Sequence, residues 1–181
     1  MKSMIRAALV AVIVASLGAG DWSAPADAVG RDGTPLVTCR ARLAGEYLLV
    51  EITAAEGWHV YAMDNELRAK EALAGKMSLG VEENTEVTVT GALQQVGGWF
   101  QREPQDFSQP ALRWFSYGFE GTALLATRVR RVGRGSARIT VRAQACDSAS
   151  CIRVDAELDL PLGDDDGESF SPEDLVRVRT S

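Results

Sequence analysis

Hydrophobic and polar residues alternate with a period of two along most of the chain. Val37, Cys39, Ala41 and Leu43 are interleaved with Thr38, Arg40 and Arg42. Leu48, Val50 and Ile52 alternate with Glu51 and Thr53, and Val87 and Val89 sit between Glu86, Thr88 and Thr90. Ile139, Val141 and Ala143 alternate with Arg138, Thr140 and Arg142. The cleanest run sets Ile152, Val154, Ala156, Leu158 and Leu160 against Arg153, Asp155, Glu157 and Asp159. Such a period puts one face of each strand in a core and the other in water. Gly45-Glu46, Gly97-Gly98 and Gly133 to Ser136 read as turns between strands. Several short strands with turns between them predict an all-β chain folded as a β-sandwich.

Two segments depart from that period. Asp64 to Gly75 is rich in helix formers and ends at glycine, which predicts one short helix or helical turn on a connection. Gly97 to Tyr117 is aromatic, contains prolines and has no period. It is expected to be a long loop, either functional or simply pinned by its aromatic residues.

The ends read differently. Lys2 and Arg6 precede an apolar run from Ala7 to Gly20, and Ala26-Asp27-Ala28 fits a small-x-small cleavage pattern. Residues 1–28 are therefore expected to be a secretory signal peptide, with Ala24 as the alternative cleavage point. The apolar run is shorter than the roughly 20 residues that span a bilayer, so no membrane span is expected after cleavage. Residues 29–162 are expected to form the sandwich. Residues 163–181 carry six acids before Leu175 and are expected to be a solvated, disordered tail.

Charge sharpens the partner question. The chain of 181 residues has a formal net charge of −6, which makes nucleic acid an improbable main partner. The acids of the tail account for much of that charge. Arg128, Arg130, Arg131, Arg134, Arg138 and Arg142 gather on two strands and their turn, as a solvated sheet face or a docking surface for an acidic partner.

Candidate chemistry is narrow. One histidine and no G-x-S-x-G exclude an ordinary serine-hydrolase site, and no P-loop or dinucleotide fingerprint is present. No metal and no cofactor is expected. Cys39 shares the apolar face of its strand, the setting of a buried free thiol. Cys146 and Cys151, spaced C-x4-C, are expected to form a disulfide in an exported protein. A loop of about six residues contributes about 2 kcal/mol in the chain-entropy model, against about 4 for one of about 65. From the spacing alone the bond is redox-active, a local clip or, third, half of a metal site. His59 and Tyr61 point to one side of an extended segment, either packed together or lining a site beside a thiol.

Gly57-Trp58-His59-Val60-Tyr61, Tyr117-Gly118-Phe119-Glu120-Gly121 and the turn from Cys146 to Cys151 together resemble the exported N-terminal domain of the thiol:disulfide interchange protein DsbD and its relatives. The motifs keep the family's order from about Leu36 to Leu162. The resemblance implies an immunoglobulin-like β-sandwich and a thiol:disulfide oxidoreductase-type relay, exported to the periplasm. It implies that Cys146 and Cys151 cycle between dithiol and disulfide, with Cys151 forming the mixed disulfide and Cys146 resolving it. Asp106 and Phe107 match the family's cap loop, and His59 and Tyr61 its aromatic wall. The implied partners are a thioredoxin-like protein or a membrane thiol transporter as donor, and exported disulfide-containing proteins as acceptors. Arg153 and Val154 stand where many members have proline soon after the second cysteine. The alternative is an immunoglobulin-like protein-binding module whose disulfide only clips a loop.

Overall fold

The structure, a computed structural model, describes residues 22–80, 83–163 and 168–180. Its strands are β1 (Ala26–Val29), β2 (Pro35–Ala44), β3 (Tyr47–Ala54), β4 (His59–Tyr61), β5 (Glu86–Gly91), β6 (Leu93–Gln101), β7 (Gln105–Asp106), β8 (Tyr117–Glu120), β9 (Thr122–Arg131), β10 (Ser136–Cys146), β11 (Cys151–Pro161) and β12 (Val176–Arg177). One helix, α1 (Asn65–Leu73), follows β4. The strands form two sheets, ordered β1-β2-β3-β9-β6-β12 and β11-β10-β4-β8-β7. β5 also pairs with β10, on the flank that β4 occupies further along. The sheets face each other as an immunoglobulin-like β-sandwich.

The alternating residues fill the space between them. Val37, Cys39, Ala41, Val50 and Ile52 of the first sheet meet Ile139, Val141, Val154, Ala156 and Leu158 of the second. Fully burying a side chain of this size contributes about 1.5–3 kcal/mol, so the register that keeps these faces together is strongly specified. Cys39 is a buried free thiol whose pKa burial pushes up to about 12.

The first sheet is also covered on its outer side. Leu49 and Ala126 form a second apolar cluster with Trp22, Tyr47, Phe100, Leu124, Phe170 and Leu175. This explains the near-continuous apolar runs in β3 and β9, because strands buried on both faces lose their alternation.

That cluster corrects the reading of the C-terminal segment. The acids suggested a disordered tail from 163, but its described part is fastened to the body. Phe170 packs edge-on to Tyr47 with ring centroids 5.5 Å apart. Val176 and Arg177 pair with Gln101 and Phe100 of β6. The Val178 N–H donates to the Trp99 carbonyl at 2.9 Å, and the Arg179 N–H to the buried Asp64 carboxylate at 3.2 Å. Apolar residues spaced among the acids outweigh the composition.

The N-terminal boundary also moves. Most of the expected leader lies outside the described residues, but the fold already includes residues before 29. Ser23 exchanges hydrogen bonds with Ala41, and Ala26, Asp27 and Ala28 pair with Cys39, Thr38 and Val37. Trp22 lies against the Arg40 guanidinium, 4.5 Å from its ring centroid.

Two further corrections concern the middle of the chain. Gly97-Gly98 is not a turn between strands. It is a bulge inside β6, where the Thr127 hydroxyl donates to the carbonyls of both glycines at 3.3 and 3.1 Å. The long loop therefore starts after Gln101 and is itself structured. It contains β7, a 3₁₀ turn (Pro110–Leu112) and a bridge between Gln109 and Trp114.

Candidate functional site

The β10–β11 hairpin builds the centre of the site. The two strands stay in register from Ser136 opposite Pro161 to Cys146 opposite Cys151. The two cysteines are therefore a cross-strand pair at the hairpin's end, and they form a disulfide with their Cα atoms 4.0 Å apart. The connecting turn is closed by the Asp147 N–H donating to the Ser150 carbonyl at 2.9 Å. Asp147 Oδ1 accepts the N–H groups of Ala149 and Ser150 at 2.8 and 2.6 Å. Those bonds hold its carboxyl below the usual pKa. Asp147 thus shapes the turn and stays ionised.

The two sulfurs have unequal surroundings. Cys146 is 2% exposed, whereas Cys151 is exposed to solvent. The difference follows from topology. Cys146 lies on an inner strand, paired with Cys151 on one side and with His59 of β4 on the other. β11 is the outermost strand of its sheet.

The registered pairs place His59 beside Cys146, and Tyr61 follows two residues later on the same face. The Tyr61 hydroxyl oxygen is 3.4 Å from Cys146 Sγ. A disulfide sulfur carries no proton, so the hydroxyl donates. Tyr61 is fully buried, and burial pushes its pKa up, with the indole N–H of Trp114 opposing the shift and the Glu83 carboxylate adding to it. The phenol accordingly remains a donor at neutral pH. Gln144 Nε2 also donates to Cys146 Sγ at 3.5 Å.

The structured loop covers this group. Phe107 stacks on His59 with centroids 4.2 Å apart and an interplanar angle of 8°. His59 is in turn 5.8 Å from Tyr61. Burial lowers the pKa of His59, partly offset by the carboxylates of Glu120 and Asp147. Asp106 is exposed, and its carboxylate accepts the Ser108 N–H at 2.8 Å. It shapes the bend that delivers Phe107. Trp114 closes the far side of the loop. Its ring lies directly over Gly80.

His59, Tyr61, Phe107, Cys146 and Cys151 therefore come together, while Asp106 acts on the loop rather than on the sulfurs. Sequence reasoning did not single out Gln144, and it treated Trp114 only as a loop pin. Strand parity carried a signal for Gln144, which stands two residues before Cys146 and so shares its face. Trp114 is brought in by the loop's path, which no local pattern encodes.

No family model and no curated protein matches the chain. Solved structures do match. The DsbD N-terminal domain of Neisseria meningitidis in the reduced form is 14% identical, with a TM-score of 0.48, over 70% of this chain and 85% of that one. A chain from the complex between the DsbD N-terminal and PilB N-terminal domains of Neisseria meningitidis is 10% identical, with a TM-score of 0.43, over 82% and 95%. Among the described residues, no helix is long and apolar enough to cross a membrane.

Proposed function

We propose that the Cys146–Cys151 pair relays reducing equivalents by thiol–disulfide exchange. The observation that carries this reading is the unequal exposure of the two cysteines. A donor thiolate reaches Cys151 Sγ and forms a new S–S bond there. The Cys146–Cys151 bond breaks, and its electron pair leaves on Cys146 as a thiolate. A second donor thiol then releases Cys151, so the donor ends as a disulfide and this protein as a dithiol. Running the same steps in reverse reduces an acceptor. The covered Cys146 reacts within the chain, while the exposed Cys151 meets partners.

A purely structural clip would have little to hold. The hairpin is already in register along its whole length, and the bond encloses only a short turn.

The donor in this reading is a thioredoxin-like protein or a membrane thiol transporter, and the acceptors are exported proteins with disulfides. Export follows from the basic and apolar leader. The contacts of Trp22 to Ala28 with the fold support cleavage before Trp22, where Gly18-Ala19-Gly20 offers small residues at the required spacing.

Trapping tests the reading. In Cys146→Ala, Cys151 is expected to retain a partner as a mixed disulfide that mass spectrometry identifies as a redox protein. Cys151→Ala is expected to abolish transfer. A wild-type potential far below about −300 mV would place the bond among inert structural disulfides and refute the relay.

A further inference from the structure

We propose that the side-chain amide of Gln144 is a positioning group that stabilises the Cys146 sulfur as the disulfide opens. This rests on the exchange reading above and names a residue of that same site. Opening the bond leaves a negative charge on the buried Cys146 sulfur. Desolvation opposes that charge, and the two carboxylates that act on the adjacent His59, Glu120 and Asp147, oppose it further. Burial lowers the pKa of His59, which disfavours an imidazolium beside the sulfur.

Among the described residues, the hydrogen-bond donors on Cys146 Sγ are the Tyr61 hydroxyl and the Gln144 amide. They come from neighbouring strands, β10 and β4. The Gln144 contact is built into β10, since a residue two positions away on a strand always shares the face. A disulfide sulfur only accepts, so the amide nitrogen turns toward it in the oxidised state. The same N–H is already in place when the sulfur becomes an anion, and bonds to charged acceptors are stronger than bonds to neutral ones. An amide also does not titrate, so its donation is constant across the working pH range. Better stabilisation of the departing thiolate speeds exchange, because a thiol of lower pKa leaves faster.

The test uses dithiothreitol as the attacking thiol, with wild type, Gln144→Leu and Gln144→Glu. Dithiothreitol becomes a cyclic disulfide as the protein bond is reduced, so no biological partner is needed. Gln144→Leu is expected to slow opening about fivefold at neutral pH. In the Cys151→Ser background it is expected to move the Cys146 titration, followed by thiolate absorbance, up by about one pH unit. Cys39, with a pKa near 12, titrates outside that window. Gln144→Glu replaces the donor with a carboxylate and is expected to be slower still.

Unchanged rates and an unchanged Cys146 titration in folded Gln144→Leu would overturn the proposal. So would slowing without a titration shift, which marks a packing defect. Where Gln144→Leu does not fold, Gln144→Glu decides by the same two readouts. The relay fails separately, on the wild-type potential or an empty trap, and neither outcome alters these comparisons.

Discussion

Gly118 shows how one missing side chain fixes the aromatic wall. A Cβ at this position would lie 2.2 Å from the Val60 carbonyl oxygen and 3.1 Å from the Tyr61 Cα. Glycine therefore lets β8 lie close against β4, which carries His59 and Tyr61. Gly118→Ala is expected to destabilise the fold by about 1–3 kcal/mol, read as a lower denaturant midpoint. In the reduced protein it should also speed alkylation of Cys146, because Tyr61 is displaced from the sulfur. An unchanged midpoint and alkylation rate would show that β4 and β8 tolerate the separation. At this scale much of the site was legible. Parity put His59 and Tyr61 on one side and Cys39 in the core, because a period of two needs only neighbouring residues. The unequal burial of Cys146 and Cys151 was not legible. It depends on which strands flank β10, and that is settled by contacts distant in sequence.

Among elements, the C-terminal segment diverges most from its composition. Counting acids overlooks Phe170, Leu175, Val176 and Val178, which occupy positions that meet the first sheet. β3 and β9 held the complementary clue, since their apolar runs are too continuous for strands with a solvated face. Phe170→Ala is expected to cost about 1–2 kcal/mol. Ending the chain at Gly163 should cost more and expose the outer cluster, detected as binding of a hydrophobic dye. Wild-type stability in the shortened chain would refute a structural role for the segment. Helix α1 was legible from start to stop because its signals are local. The bulge at Gly97-Gly98 resembled a turn because both use paired glycines, and the Thr127 hydroxyl that distinguishes them lies on another strand.

For the whole molecule, the total charge of −6 conceals local pairing. The arginines expected to gather on one face are divided between β9 of the first sheet and β10 of the second, and acids stand beside several of them: Arg128 meets Glu46 at 2.6 Å, Arg142 lies 3.7 Å from Asp155, and Arg138 stands opposite Asp159. Arginines split between two sheets and matched by acids fit solvated, mixed-charge surfaces better than a single docking surface for an acidic partner. The first residues of the fold bear on processing. In the proposed export, intact mass of the mature chain is expected to place its N-terminus at or before Trp22. A mature chain starting at Val29 would lose β1 and contradict the assignment. Legibility was lowest here, because a small-x-small pattern inside a strand looks the same as one at a cleavage site.

The outermost position of β11 has a consequence for the reduced state. Once the disulfide opens, the hairpin loses its covalent tie at the very rim of a sheet, where unpaired backbone groups invite another chain to add as a further strand. Arg153, Asp155, Glu157 and Asp159 put a charge at every second position along that rim. A strand so marked resists self-association, so the proposed exchange cycle has a guarded edge in its open form.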